Sequence, residues 1–460
     1  MNKFKQLLDY HFLFLFIGLV FGLQMVYVNP PWHTNDEDRH FYNAYALSNG
    51  QIGPLVQNGK IGLMMPEALA NDVRSFQGIP FSDSVRVKKK VLADLKLHSL
   101  NKRNAIFVEN LSSGTPPFGY IPAAIFIKMA TILNLSPIDV GYWGRIGSLL
   151  AYLLIVFYAI KISPHFKALL FLAALSPMAL YQGASVTYDT LNLALIFLLF
   201  AFTMKFYFQQ ETITIKHLFL FFGIAFLHRF VKDGYLFLYF APLLLGVSKF
   251  KNIRLYISAM ILLLLAGFLP GKIWEAYIQH LNLPQGTSFQ KDFAFGLADN
   301  IKFHLTQPVA ALQDIIKNIF DQGQLWIIGS IGRFGYSYTK LPTWFIFFVL
   351  LALVFAAGTE NLNGANLKFK FQISLLALVV INMLTIVVMF YLVSPIGASM
   401  IFGLQGRYFT PFLPFLFAAA FYVRLMPNTI PYLKLIIPIL AVIILLYTVG
   451  FLNETFYIVK

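Results

Sequence analysis

The sequence predicts an all-α protein that crosses a membrane many times, and three observations lead to this fold class. Of the 460 residues, 58% are hydrophobic and only 12% are charged, whereas about a quarter of an ordinary soluble domain is charged. The chain contains eleven separate apolar runs. Lysines or arginines flank every second short connection between the runs, and two of the intervening short loops hold none. We therefore expect a single polytopic membrane domain covering residues 1–460.

The apolar runs have lengths suited to membrane helices, because about 20 mostly apolar residues cross a bilayer. They lie at 10–28, 144–162, 166–182, 189–207, 216–231, 234–248, 254–272, 342–357, 371–393, 407–424 and 433–452. Basic residues precede the first run, as in a signal peptide, but its apolar core is long and no small-residue cleavage site follows. We expect an uncleaved first span.

The basic residues predict the orientation, because cytoplasmic loops are enriched in Lys and Arg. With a cytoplasmic N-terminus, the cytoplasmic segments hold Lys3, Lys5, Lys161, Lys167, Lys205, Lys216, Lys249, Lys251, Arg254, Lys368, Lys370, Arg424 and Lys434. The short loops 183–188 and 394–406 on the other side hold none. The sequence thus predicts an N-in, C-out protein of the cell membrane. Its net charge of +15 reflects orientation, and nucleic-acid binding is not expected.

The apolar stretch 118–133 is predicted not to span the membrane. It contains Lys128 and follows Pro116 and Pro117. Counting it as a span would move every later basic loop to the opposite side. We expect a helix at the outer membrane interface, with Lys128 reaching toward water.

Two long extracytoplasmic loops are predicted, at 29–143 and 274–340. Long loops inside compact proteins are usually functional. The first is expected to carry juxtamembrane helices, one of them at 36–50, and the second an amphipathic helix at 301–320. The chain has no cysteine, which excludes disulfides, thiolate metal sites and a cysteine nucleophile.

The strongest polar cluster follows the first span and reads Asn35-Asp36-Glu37-Asp38-Arg39-His40. Asp36 and His40 are four residues apart and share a helix face. A carboxylate at this position can act as a general base toward a hydroxyl group. Alternatively, Asp36 or Asn35 caps a helix and the other side chains are solvated.

Three further ionisable residues stand at the predicted outer ends of spans. Asp189 begins the fourth span, where an ionisable group is a functional candidate, although a helix cap explains it equally well. Lys232, together with the nearby Arg229, can receive an anionic headgroup or phosphate; the alternative is that Lys232 or Arg229 pairs with Asp233. Arg407 can clamp a phosphate bidentately, or can simply extend to the interface. With Asp36, these residues suggest an anionic lipid headgroup beside an acceptor that needs deprotonation.

The sequence around these residues resembles a bacterial family of multi-pass proteins known as domain of unknown function 2142, which is similar to GT-C glycosyltransferases. The resemblance covers most of the chain and is carried by residues 30–42, 116–117, 145–148, 175–178, 185–189, 329–335 and 405–411. It implies a GT-C-like helical bundle of about eleven spans. It also implies an enzyme that transfers a sugar from a polyprenyl-phosphate carrier to an extracytoplasmic acceptor.

The resemblance further implies catalytic roles. Asp36 would be the base, with Glu37 beside it, and Asp189 would line the acceptor side. Because no carboxylate attacks covalently in this scheme, inversion at the anomeric carbon is expected. A divalent metal is not favoured, because Asp36, Glu37 and Asp38 are consecutive at one helix start and cannot all converge on one ion.

The substrate-binding residues implied by the resemblance are mostly basic. Lys232 and Arg407 would hold the lipid phosphate, because fixed cations stabilise the charge that grows on a leaving phosphate. Lys128 and Arg145 would assist them, and His40 would also contact the substrate.

Other functions stay open at this point. A transporter or flippase of lipid-linked sugars would show inverted repeats and broken helices at the midplane. A non-catalytic membrane component of polysaccharide assembly would not depend on Asp36. For the enzyme, the acceptor would be a cell-surface polysaccharide, a glycolipid or a protein.

Overall fold

The computed structural model describes residues 9–82, 84–281, 283, 297–358, 367–395, 400–420 and 433–458. Within these ranges the chain is mostly helical. Several residues used in the sequence analysis lie outside them, namely Lys3, Lys5, 284–296 of the second predicted loop, 396–399, and 421–424 of the tenth apolar run.

The helices and strands occur in the following order along the described parts of the chain. The α-helices are α1 (Tyr10–Val28), α2 (Glu37–Ser48), α3 (Glu67–Phe76), α4 (Lys89–Leu95), α5 (Ile121–Ile132), α6 (Pro137–Ile162), α7 (Lys167–Ala174), α8 (Pro177–Gly183), α9 (Asp189–Phe208), α10 (Ile215–Val231), α11 (Ile253–His280), α12 (Leu297–Thr306), α13 (Pro308–Gly332), α14 (Thr343–Gly358), α15 (Phe369–Leu392), α16 (Leu413–Ala420) and α17 (Leu433–Phe456). The strands are β1 (Leu55–Gln57), β2 (Lys60–Pro66), β3 (Ala105–Glu109), β4 (Arg333–Phe334) and β5 (Thr339–Lys340). Short 3₁₀ helices lie at Ile79–Phe81, Leu111–Gly114, Pro117–Tyr120, Leu236–Leu245, Val247–Lys249 and Gly406–Phe412.

Six helices in the described ranges are long and apolar enough to cross a membrane, namely α1, α6, α9, α11, α15 and α17. They coincide with six of the eleven predicted runs, so a multi-helix membrane protein is confirmed. The other runs are shorter or interrupted. The run 166–182 is divided into α7 and α8 at Ser176, because Pro177 has no N–H to continue α7 and instead starts a new helix. The run 234–248 forms a 3₁₀ helix that contains Pro242.

The predicted loop 29–143 contains a small folded domain that includes a sheet as well as helices. Strands β1, β2 and β3 form an antiparallel sheet in that order. Gly62 on β2 is required by the pairing, because a Cβ there would lie 2.1 Å from the carbonyl oxygen of Val108. The sequence analysis predicted helices in this loop and missed the sheet, since the strands are short and β2 contains Gly62 and only one β-branched residue, Ile61.

Helix α5, which contains most of the 118–133 stretch, runs antiparallel to the first half of α6. A Cβ on Gly147 would lie 2.4 Å from the carbonyl oxygen of Pro122, and one on Gly144 would lie 3.1 Å from Ile127. This half of α6 contains Arg145, which donates to carbonyl oxygens at the end of α1. Helix α5 therefore lies at the end of the bundle where α1 stops.

Two sets of contacts identify which helix ends lie together. The hydroxyl of Tyr457, just after α17, donates to the carbonyl oxygen of Tyr27 at 3.2 Å, so α1 and α17 end side by side. Elsewhere, Ile213 before α10 pairs with Phe250 before α11. We call the end where α1 and α17 stop the Asn29 end of the bundle.

Candidate functional site

The structure brings four of the predicted site residues together at the Asn29 end in one ion-pair network. Arg407 lies between two acids: its Nη2 is 3.0 Å from Asp36 Oδ2, and its Nη1 is 2.9 Å from Asp189 Oδ2. Lys232 pairs with the other oxygen of Asp189. The network therefore joins Asp36, Arg407, Asp189 and Lys232 in a chain of alternating charge, and its formal charges cancel.

Helix ends position two members of the network. Asp189 is the first residue of α9, and Lys232 directly follows the last residue of α10. The helix macrodipole favours a carboxylate at the first of these positions and an ammonium group at the second. The two helix ends meet at the same place, so the opposite charges of Asp189 and Lys232 pair there.

A close backbone approach positions Arg407, which lies in the 3₁₀ helix Gly406–Phe412. A Cβ on Gly406 would lie 2.4 Å from the Cα of Gly329 in α13, so glycine is needed there. Gln405 fixes the guanidinium, because its Oε1 accepts from Arg407 Nε at 2.8 Å and from Asn35 Nδ2 at 2.7 Å. Two of the glycine-containing stretches singled out in the sequence thus meet beside the network.

Asp36 is the most exposed member of the network. Its side chain is 27% exposed, compared with 4% for Asp189 and 1% for Arg407. Asp36 precedes α2 with a φ of 59°, and the hydroxyl of Tyr336 donates to its Oδ1 at 2.8 Å. Burial acts to raise the pKa of Asp36, but the Arg407 guanidinium and smaller contributions that include the Tyr336 hydrogen bond together hold that pKa below its usual value. Asp36 is therefore ionised at neutral pH.

Lys232 lies between two tyrosine rings. Its Nζ is 4.1 Å from the centroid of the Tyr408 ring and 4.9 Å from that of Tyr188. Burial lowers the pKa of Lys232 to about 8, and the neighbouring Asp189 carboxylate limits the decrease. An ammonium group has three donors, and one of those of Lys232 goes to Asp189.

His40 adds a neutral imidazole next to the network. Its Nδ1 is 2.8 Å from the Tyr120 hydroxyl, and its ring lies 4.5 Å from that of Tyr188. Burial lowers the pKa of His40 to about 4, so the ring is uncharged at neutral pH. Within the described residues, its buried Nε2 has no hydrogen-bond partner. The hydrogen-bonding capacity of this nitrogen is therefore unused among the described residues.

Glu37 and Arg145 form a separate ion pair that is closed to ligands. Arg145 donates to both carboxylate oxygens of Glu37, at 2.7 and 2.6 Å, and its other N–H groups go to the carbonyl oxygens of Val26, Asn29 and Pro30 at 2.7–2.8 Å. Glu37 also accepts the backbone N–H groups of Thr34 and Val186. The structure thus corrects the sequence expectation: these two residues hold α1, α2 and α6 together, and neither has a group free for catalysis or phosphate binding.

Two other predicted contacts lie away from the network. Lys128 is exposed on α5, and its Nζ donates to Asn49 Oδ1 at 3.2 Å. Arg229 pairs with Asp233 and donates to the carbonyl oxygen of Gly267 at 2.9 Å. Arg229 and Asp233 therefore form an ion pair, which is one of the alternatives given in the sequence analysis. Lys232 instead pairs with Asp189.

The sequence analysis missed the tyrosines of the site. Tyr336 follows Gly335, which has a φ of +55° and would place a Cβ 3.0 Å from the ring of His33. The glycine-rich stretch 329–335 was the signal available for Tyr336. Tyr188 and Tyr408 are the immediate neighbours of Asp189 and Arg407, so adjacency to a charged candidate would have found them. No group of three or more His, Asp or Glu side chains suited to a metal ion occurs in the part of the chain described by the structure.

The fold and site define a class of protein: a helical membrane protein with a buried ionic network at one end of its bundle. The chain belongs to the family described as Predicted membrane protein (DUF2142), whose model matches residues 19–416. The family expected from the sequence is thereby confirmed. Comparison with curated proteins gave no match, and comparison with solved structures gave none either.

Proposed function

We propose that the protein is a GT-C-type glycosyltransferase that transfers a sugar from a polyprenyl-phosphate carrier to an acceptor outside the cell membrane. The observation that carries the proposal is the network itself. It combines an ionised, partly exposed carboxylate on Asp36 with two cations, the buried Arg407 and the less completely covered Lys232. Sugar transfer from a lipid phosphate needs a base for the acceptor and cations for the leaving group.

The proposal includes an N-in, C-out topology of about eleven spans. Two contacts support it. Tyr457 donates to Tyr27, which fits α1 and α17 ending on the same side. The backbone N–H of Lys368 donates to the Tyr207 hydroxyl at 2.7 Å, which brings two basic loops together at the other end of the helices. In this topology the network is extracytoplasmic, and the five shorter or interrupted runs also cross the membrane.

Lys232 is the main phosphate ligand in this mechanism. It keeps donors beyond its bond to Asp189, and its side chain is 11% exposed. Arg407 contributes a second positive charge and holds both acids in place. As the bond between the sugar and the phosphate breaks, negative charge grows on the phosphate, and preorganised cations stabilise it without reorganising.

Asp36 acts as the base. It accepts the proton of the acceptor hydroxyl while the oxygen attacks the anomeric carbon. The bond from that carbon to the phosphate oxygen breaks, and the polyprenyl phosphate leaves with the electron pair. A single displacement of this kind inverts the anomeric centre. The low pKa of Asp36 suits a transition state with much sugar–phosphate cleavage and late proton transfer.

Asp189 and His40 complete the substrate site. Asp189 orients Lys232 and Arg407 through its two oxygens, which makes it a positioning residue. The free Nε2 of His40 contacts the donor sugar or its phosphate. No step in this scheme requires a divalent metal ion.

The alternatives receive less support from the geometry. A flippase is expected to place its charged residues near the bilayer midplane, whereas this network lies at helix ends. A scaffold gains nothing from a partly exposed carboxylate held by a buried arginine, because such a network costs desolvation energy.

The proposal is tested with membranes that carry the full chain and are supplied with polyprenyl phosphate bearing radiolabelled glucose, galactose, mannose or arabinose. The wild-type chain should move label from the lipid phase into a covalent product. Asp36→Asn should slow the initial rate by about 10²–10⁴-fold, the usual contribution of a general base.

The matched control is Asp94→Asn, which changes an exposed acid on α4 and should leave the rate unchanged. Equal transfer by Asp36→Asn and wild type, at equal expression, would reject the enzyme. Movement of the labelled lipid across vesicles without a covalent product would establish a flippase instead.

A further inference from the structure

An open cleft lies beside the network, on the domain that follows α1. Its inner part is a cavity of about 240 Å³ lined by Trp32, Asp38, Arg39, Gln77, Phe81 and Tyr336, among others. A neighbouring cavity of about 360 Å³ on the outer side shares Asp38, Arg39 and Gln77 with it, and we refer to the two cavities together as the cleft. Tyr336 connects the cleft to the network, because its hydroxyl donates to Asp36.

The inner cavity has an aromatic platform. Phe81 stacks on Tyr336 with ring centroids 4.1 Å apart and an interplanar angle of 7°. Phe81 is nevertheless 53% exposed, although a phenylalanine is normally covered. An exposed ring at the wall of a cavity offers a flat apolar surface, and the C–H face of a pyranose ring is suited to such a surface.

Polar groups with planar geometry surround this platform. The Gln77 amide donates to Asp38 Oδ2 at 3.1 Å, and Arg39 lines the same cavity. Carboxylate, amide and guanidinium groups pair well with the adjacent hydroxyls of a sugar. Asp38 and Arg39 carry opposite charges, so the inner cavity has no excess of one sign to attract a polyanion.

We propose that this cleft binds the acceptor and that the acceptor is an uncharged carbohydrate, with a sugar ring stacked on Phe81. The inference rests on the proposed function and specifies the substrate class of its acceptor side. The shared walls of the two cavities give the cleft room for more than one sugar unit. A ring at the inner end lies next to the tyrosine that contacts the base.

The test measures binding without requiring turnover. The full chain in lipid nanodiscs is studied by saturation-transfer NMR with methyl glycosides of glucose, galactose and mannose and, separately, with a short glycerol-phosphate oligomer. At least one methyl glycoside should show saturation transfer. Phe81→Ala should reduce that signal at least about fivefold, because the exposed ring supplies the contact surface.

Leu97→Ala is the matched control, since Leu97 is an apolar residue of the same domain that is 84% exposed and lines neither part of the cleft. It should retain wild-type binding. The inference is overturned if no methyl glycoside binds, if Phe81→Ala binds normally, or if only the glycerol-phosphate oligomer binds. If a glycoside binds but no label is transferred from the donors, the cleft is a carbohydrate-binding site and the glycosyltransferase proposal is contradicted.

Discussion

Two buried arginines, Arg145 and Arg407, pair with the carboxylates of consecutive residues, yet their surroundings differ. Arg145 and Glu37 are 2% and 1% exposed, and every N–H of the guanidinium has a protein acceptor. Arg407 binds Asp36, which is partly exposed, and also Asp189. A closed pair of the first kind can only hold structure together. An open network of the second kind retains groups that can bind a ligand. The comparison therefore distinguishes an ion pair that stabilises the fold from a network that can form a functional site.

The largest expected effect comes from breaking the closed pair. Arg145→Ala leaves Glu37 buried without its counter-ion, and such a loss costs about 3–5 kcal/mol of folding free energy. The thermal unfolding midpoint in nanodiscs should fall markedly, together with the yield of folded protein. The double variant Arg145→Met/Glu37→Met should recover part of the loss. An unchanged midpoint in Arg145→Ala would contradict the structural role assigned to the pair.

The second-largest effect is expected in the open network, where substitution of Arg407 should lower the rate of sugar transfer. Arg407→Lys keeps the charge but cannot bridge Asp36 and Asp189 with two separate nitrogens. We expect the rate of sugar transfer to fall by about 10²–10³-fold, as when one preorganised donor is lost from an active site. Arg103→Lys, at an exposed position of the domain after α1, should transfer at the wild-type rate. If both variants behave alike, Arg407 has no special role.

The third effect is a pH dependence. The pKa of Lys232 is lowered to about 8, so its ammonium group is present below that pH and is lost as the pH rises through it. Transfer by the wild type should therefore decline above about pH 8, by about tenfold per pH unit. Lys232→Arg stays charged and should have a flat profile up to pH 10, although at a lower rate. A wild-type profile that is also flat would remove Lys232 from the reaction.

The smallest effect is expected at Lys128. Its ammonium group is exposed and bonds to Asn49, away from the network. Lys128→Ala should change the transfer rate by less than about twofold and the free energy of unfolding by no more than a few tenths of a kcal/mol, as most surface substitutions do. A large loss of transfer would show that α5 contacts the lipid carrier.

The positions of the helices were predictable because their physical signals are local. Apolar runs of sufficient length predicted α1 at 10–28 and α9 at 189–207, and the structure places them at Tyr10–Val28 and Asp189–Phe208. Irregular backbone was less predictable. Leu236–Leu245 is as apolar as a membrane helix, but Pro242 removes a backbone donor, and the segment forms a 3₁₀ helix.

The sequence could predict which residues lie on the same side of the membrane, and this was enough to name four residues of the site. The basic loops placed Asp36, Asp189, Lys232 and Arg407 on one side, and the structure joins all four. Pairing between them was not predictable, because Asp36 and Arg407 are 371 residues apart and spacing along the chain carries no distance information at that range. For the same reason the sequence could not show that Glu37, unlike its neighbour, faces Arg145.

The closed pair has a consequence for how the site is used. Glu37 anchors the first turn of α2, and the adjacent residue Asp36 adopts its positive φ directly on that anchor. The Asp36 carboxylate is consequently attached to a turn that a buried ion pair anchors. In the proposed transfer, the donor and the acceptor would therefore have to align with a carboxylate whose backbone position is already set.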